Sequence, residues 1–382
     1  MKKILIALAL ICASMLAICS CSKDKGKGDE KSAEEIKYEK AISLISTGAY
    51  EESYKLFTEL GDYKDSAKYR SKFYYVPVKV ECTDGEENGF NGFIEILLNG
   101  NHLPLKQTRV TNGELDCTED YVYDENGRLI KNIYDYGDSS LIVENVYDAS
   151  GRCVKSLIKD EDGVLENTYE YTYNDKGRVV KTVVTYFDND ESQATIIENV
   201  YDEKGNVIKE SYSDSFGDET VTNYSYIYNE NGTIAKRIVD GESEYVFSYD
   251  ENGKLIKVVC PEVNADMYDG FGEEWLDYIL GTQPQEYNVT YDDKGNAKKV
   301  AITYANDNVR TIEFTLKFVY IADDSYDVQA DIDSRLTSHI STFTYYIGSV
   351  SLPVAPDIGS GEILDPTSGS PVEGPMVDIT PD

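Results

Sequence analysis

The chain has 382 residues, 70 of them acidic and 36 basic, for a net charge of -34. Nucleic acid and anionic membrane surfaces both need a basic patch, so this balance excludes them as partners and fits a self-repelling, water-facing surface. Only two histidines occur, and no Walker loop, Rossmann glycine set, HExxH or GxSxG is present, so the chain reads as a non-enzyme that needs no cofactor.

Lys2 and Lys3 precede an apolar run from Ile4 to Ile18, which suits a secretory signal and is too short to span a bilayer. It ends in Ile18-Cys19-Ser20-Cys21, which resembles a bacterial lipoprotein signal, with Ile18 and Ser20 in the places such a lipobox wants. The resemblance implies removal of residues 1–20, lipidation of Cys21 and a membrane anchor made of acyl chains, with the protein exported to the cell envelope. An ordinary cleaved signal peptide is the plainer alternative. Removing residues 1–20 takes two Lys and no acid, leaving 34 - 70 = -36.

Residues 21–32 read as a flexible tether. Over 33–75 the apolar period is helical: Ser32-Ala33-Glu34-Glu35 has capping-box spacing, one stripe runs through Tyr38, Ala41, Ile42 and Ile45, and a second through Tyr50, Tyr54, Phe57 and Leu60. This segment resembles a tetratricopeptide-like unit, with Ser53 in place of the usual small Ala. Residues 76–118 turn to short strands and read as a β lead-in to a repeat array.

Residues 119–350 carry the organising pattern: Tyr, Asp or Asn, two polar residues, Gly, a polar residue, then an apolar one. It starts at Tyr123, Tyr147, Tyr173, Tyr201, Tyr228, Tyr249 and Tyr291. Periods of this length mark an array of one supersecondary unit. In each copy an Asp or Asn, such as Asp124, can bond backbone amides two residues on, while Gly127, Gly151, Gly177, Gly205, Gly232, Gly253 and Gly295 can take the left-handed conformation a hairpin turn needs. Pairing of rings across strands is the expected role of the repeat tyrosines. A longer period is visible as well: Ile142 to Asp148 returns 54 residues later as Ile196 to Asp202. These copies resemble the YD repeats of the Rhs family, which implies an antiparallel β-shell. Asp365-Pro366-Thr367-Ser368-Gly369 has one residue more than that family's core signature, and no toxin domain follows it. The expected fold is therefore mainly β, an antiparallel meander or shell of hairpin repeats behind a small α-helical hairpin.

The spacing breaks at about 263–283, which holds the chain's one Trp. Trp275 with Tyr268 and Tyr278 is a candidate aromatic platform for a sugar ring. The acidic runs Asp160-Glu161-Asp162 and Asp188-Asn189-Asp190 fit neither an EF-hand nor a calcium β-roll, so calcium is at most a minor expectation. Cys82, Cys117, Cys153 and Cys260 follow Cys21; a Cys82–Cys117 staple and free buried thiols are both open. Residues 351–382, rich in Pro, Gly, Ser and Asp, read as a disordered tail. The expected role is binding or scaffolding at the cell surface, with a wall glycan or a surface protein as partner. The alternative is an enzyme acting on surface polysaccharide through a carboxylate pair near 263–283.

Overall fold

The structure, a computed structural model, describes residues 31–84, 91–188, 191–262 and 283–322, together with Ile332, Leu336 and 338–340. The chain divides into two units, Met1–Ala67 and Lys68–Asp382.

In the first unit α1 (Ala33–Ser46) begins where Ser32 Oγ accepts the amide of Glu35 at 3.1 Å, which satisfies one open donor of the first turn. Gly48, with φ of 77°, leads into α2 (Tyr50–Leu60), which Gly61 ends. The two helices meet at Ala41, Ser53 and Phe57, all fully buried, and Tyr38 stands edge-on to Phe57 at 5.9 Å. Ser53 is polar in an apolar contact, and its hydroxyl donates to the Ala41 carbonyl at 2.7 Å, which removes the cost of burying it. A short α3 (Ser66–Arg70) follows.

The second unit is built on eighteen strands. The first six are β1 (Phe73–Asp84), β2 (Asn91–Leu98), β3 (Pro104–Thr111), β4 (Glu114–Tyr123), β5 (Leu129–Asp135) and β6 (Ser140–Tyr147). The next six are β7 (Cys153–Lys159), β8 (Leu165–Tyr173), β9 (Val179–Asp188), β10 (Glu191–Tyr201), β11 (Val207–Asp214) and β12 (Glu219–Tyr228). The last are β13 (Ile234–Val239), β14 (Ser243–Tyr249), β15 (Leu255–Val259), β16 (Pro284–Tyr291), β17 (Ala297–Tyr304) and β18 (Val309–Tyr320). Each strand pairs antiparallel with the next in sequence, and β1 pairs with β18 from Phe73↔Tyr320 to Asp84↔Arg310. The expected meander is thus closed on itself: an up-and-down barrel that leaves no edge. The stretch read as a lead-in is part of it, since it supplies β1 to β4. Likewise the stretch read as helical to residue 75 already enters β1 at Phe73.

Consecutive pairing puts the turns on two rims. The seven Tyr-to-Gly motifs join β4–β5, β6–β7, β8–β9, β10–β11, β12–β13, β14–β15 and β16–β17, so all lie on one rim, where β1 begins and β18 ends. The connection holding residues 263–283 joins β15 to β16 at the opposite rim.

The two faces differ. On one, Val80, Ile94, Val258, Tyr287, Val300, Ile302 and Ile312 are 0–2% exposed. On the other, lysines pair with acids across neighbouring strands: Lys155–Glu170 at 2.7 Å, Lys181–Glu198 at 2.9 Å, Lys236–Glu244 at 2.7 Å, Lys257–Glu286 at 2.6 Å and Lys299–Glu313 at 3.5 Å. The face with the buried side chains is the inside and the charged belt is the outside. The β-branched residues on the outer face, such as Val183, are half-buried beside these charged stems, with no second protein layer among the described residues.

A barrel of about eight strands is just filled by its own side chains, whereas 16–18 strands enclose a wider space. Part of that space is packed from within. Ile332, Leu336 and Ile340, helical and four residues apart, form one stripe. Ile332 packs with Val76, Leu103, Val319 and Ile321, and Ile340 joins the inward cluster of β14 to β18, β1 and β2. The expected β structure up to residue 350 therefore gives way to helix after β18. The expected tether and tail lie outside the described residues, apart from Lys31 and Ser32.

Candidate functional site

The rim motifs share one backbone turn, shown by the first of them. Asp124 Oδ1 accepts the amides of Asn126 and Arg128, both at 2.9 Å, while Gly127 N–H donates to the Asp124 carbonyl at 3.1 Å. Gly127 has φ of 80°, in the region where a Cβ clashes, and the ladder register shifts between Val122 and Tyr123. The same backbone conformation stands at Gly151, Gly177, Gly205, Gly232, Gly253 and Gly295, whose φ values run from 80° to 98°.

Four of the motif tyrosines tie their turn to the one before it. Tyr147 Oη donates to the Leu129 carbonyl at 2.7 Å, Tyr173 to Cys153 at 2.5 Å, Tyr201 to Val179 at 2.7 Å and Tyr291 to Leu255 at 2.6 Å. In each case the acceptor is the first residue of the preceding outgoing strand. The residue after each glycine then covers the ring: Arg128 over Tyr147 at 5.0 Å, Arg152 over Tyr173 at 5.1 Å, Arg178 over Tyr201 at 5.7 Å and Lys254 over Tyr291 at 5.1 Å. This replaces the expected pairing of rings across strands as the main role of these tyrosines; Tyr226 and Tyr228, 6.4 Å apart, are a ring pair within one strand. In their repeat the roles are split, because Tyr226 reaches the Val207 carbonyl at 2.8 Å and Tyr228 reaches Asp202 Oδ2 at 3.0 Å. A Cβ on Gly205 would lie 1.9 Å from Arg178 Nη2, so that glycine also makes room for its neighbour's guanidinium.

On the same rim, the turn between β2 and β3 is also of this kind and escaped the motif. Asn99 Oδ1 accepts the amides of Asn101 and Leu103 at 2.8 and 3.1 Å, His102 N–H donates to the Asn99 carbonyl at 3.0 Å, and His102 takes the glycine's place with φ of 64°. Leu98 stands where the others have Tyr. The remaining signal was the asparagine, 25 residues before Asp124.

The inner face is uneven. Along β10 to β14 the inward residues Asn199, Glu210, Tyr212, Tyr224, Arg237 and Tyr245 are half-buried, in contrast to the sealed inward residues of β15 to β18. Arg237 lies 4.4 Å from the Tyr245 ring and 5.9 Å from that of Tyr224. Burial, then the carboxylate of Glu210, pushes the Tyr224 phenol above its ordinary range. Nearer the rim opposite the turns, Tyr186, Gln193 and Thr220 on the same face are exposed, so the inside opens to water there. On the other side of the barrel Glu119 is buried and accepts Asn132 Nδ2 at 2.9 Å, a carboxylate tied to its neighbours.

Cys82, Cys117, Cys153 and Cys260 are all free, so the Cys82–Cys117 staple is not formed. Burial pushes the Cys82 and Cys260 thiols up to about 12, far from the range of a nucleophilic thiolate. Asp160, in the acidic run weighed for calcium, uses Oδ1 to accept the Val164 amide at 2.7 Å in the β7–β8 turn. Among the described residues no three His, Cys, Asp or Glu side chains gather as a metal site. Cys21, Tyr268, Trp275 and Tyr278 lie outside the described residues.

No protein family matches the chain, and no curated protein does. Among solved structures, the TcdB2-TccC3 complex matches at 12% identity and a TM-score of 0.33, over 59% of this chain and 14% of that one. A porin-like protein from Bacteroides uniformis matches at 12% identity and 0.33, over 63% of this chain and 98% of its own. One from Bacteroides vulgatus matches at 9% and 0.27, over 63% and 98%. The chain spans about one seventh of the toxin chain it matches.

Proposed function

We propose that the protein is an exported binding barrel, held at a membrane by acyl chains on Cys21 and standing in water, with a wall glycan or a surface protein as its partner. The observation that carries this reading is the outer belt of lysine–acid pairs. A barrel that crosses a membrane turns an apolar band outward, and each Lys or Arg at mid-membrane costs it about 2–4 kcal/mol. Here Lys155, Lys181, Lys236, Lys257 and Lys299 all sit on the outside within strands, and the buried side chains point in. The lipobox-like Ile18-Cys19-Ser20-Cys21 supplies the membrane attachment that such an outer face cannot.

The test is fractionation of cells that make the full chain and its Cys21→Ala variant, with metabolic labelling by a fatty acid. The expected result is label and membrane fractionation for the parent, no label for Cys21→Ala, and monodisperse protein without detergent when residues 1–21 are left out. A protein without residues 1–21 that still needs detergent would refute the water-facing barrel.

A further inference from the structure

We propose that the inner face of β10 to β14 is a binding site for a neutral oligosaccharide. This rests on the reading of the barrel as a binding protein, and it adds a site apart from the 263–283 segment.

Three observations converge. The first is incomplete cover: the stripe Ile332, Leu336 and Ile340 packs toward β14 to β18, β1 and β2, and a barrel of 16–18 strands is wider than its own side chains fill. The inward residues of β10 to β13 keep partial exposure, and the exposed Tyr186, Gln193 and Thr220 mark a way in from the rim opposite the turns. The second is composition. Tyr212, Tyr224 and Tyr245 offer flat apolar rings, while Asn199, Glu210 and Arg237 offer donors and acceptors between them, the mixture that fits a molecule with apolar ring faces and a hydroxyl edge. The third is an unmet demand: Asn199 Oδ1 is buried with no hydrogen-bond partner, and a ligand hydroxyl is a donor that would meet it.

The same features argue against other occupants. A lipid tail gains nothing from Glu210 and Arg237 and would strip them of water. Nucleic acid and polyanionic glycans meet a chain of net charge -34.

The test uses the full chain carrying Cys21→Ala, titrated calorimetrically with three probes: chitohexaose, cellohexaose and maltohexaose. At least one should bind. Tyr224→Ala should then weaken it about tenfold or more, and Tyr224→Phe should keep most of the affinity because the ring face remains. Asn199→Ala, which removes the unmet acceptor, should weaken binding without lowering Tm. Binding lost in Trp275→Ala and unchanged in Tyr224→Ala would move the site to the 263–283 segment and overturn the proposal, as would no binding of any probe at millimolar concentration. If Tyr224→Ala fails to fold, Asn199→Ala decides: unchanged affinity overturns the proposal. Failure of the membrane reading shows instead as missing label on Cys21, so the two results stay separate.

Discussion

At the residue scale, Asp148 and Asp250 show what a carboxylate does at the opening of a rim turn. The amides of Ser150 and Arg152 donate to Asp148 Oδ1 at 2.8 and 3.0 Å, and those of Asn252 and Lys254 to Asp250 Oδ1 at 2.9 and 2.8 Å. These backbone hydrogen bonds, those of Arg152 and Lys254 first, hold both carboxyls below their ordinary 3.8. A folded-state pKa lowered in this way contributes stability above the unfolded value and loses it as pH falls through the folded value. Thermal unfolding should therefore be steady from neutral pH to about 4 and fall steeply below it. Asn already fills this place at Asn174, whose Oδ1 accepts the amides of Lys176 and Arg178 at 2.9 and 3.0 Å and does not titrate. The Asp148→Asn, Asp250→Asn protein should accordingly keep nearly the parent Tm at pH 7 and show a shallower fall below about pH 4. Identical slopes in the two proteins would locate the acid sensitivity elsewhere.

At the element scale the unit is a turn with the tyrosine of the next turn. Tyr147→Phe removes one of two side-chain donors to the Leu129 carbonyl, with Asn145 Nδ2 remaining at 3.1 Å, and should cost about 0.5–1.5 kcal/mol in denaturant unfolding. Arg128 lies over the same ring, so Arg128→Ala should cost nearly as much in the Tyr147→Phe variant as in the parent if ring and hydroxyl act independently. A coupling above about 1 kcal/mol would mean that the hydroxyl sets the ring under the guanidinium. This unit also shows what the sequence makes legible. Asp124 and Gly127 announce themselves because the turn needs a short acceptor and a left-handed backbone within five residues, both local demands. The tyrosine's partner lies on another strand, 18 residues back for Tyr147 and 36 for Tyr291, and no local rule reveals it. A turn at Asn99-Gly100-Asn101 is legible, but its kinship with the rim turns is not, because His102 stands where they have glycine and takes the left-handed conformation itself. The inner face of β10 to β14 was legible only as alternation. Which alternate set points inward, and whether it is sealed, depends on closure and on Ile332, Leu336 and Ile340 arriving from beyond β18.

At the scale of the whole molecule the deciding event is the meeting of β1 and β18, strands that the chain separates by more than two hundred residues. Every other pairing joins neighbours in sequence and can form as the array grows; this one must bring the ends together. Left open, it would expose two long edges able to pair with another copy. The seam carries a device that can set its register: Arg310 and Asp84 are strand partners, joined at 3.1 Å, with side chains 16% and 5% exposed, and Asn308 Nδ2 donates to Asp84 at 2.8 Å. A one-residue slip of either strand would turn one of the two charges to the other face of the sheet and strand the one left inside, which opposes any other register. Asp84→Ala should cost about 3–5 kcal/mol, because it leaves the guanidinium buried without its carboxylate, and should produce concentration-dependent oligomers through the opened edges. Replacing both members, Asp84→Ala with Arg310→Met, should restore most of the stability, since no charge is then left uncompensated. If instead the double variant is as stable as the parent yet still oligomerises, the ion pair serves register rather than stability. A single variant that stays monomeric at the parent's Tm would mean that the backbone ladder closes the barrel without it.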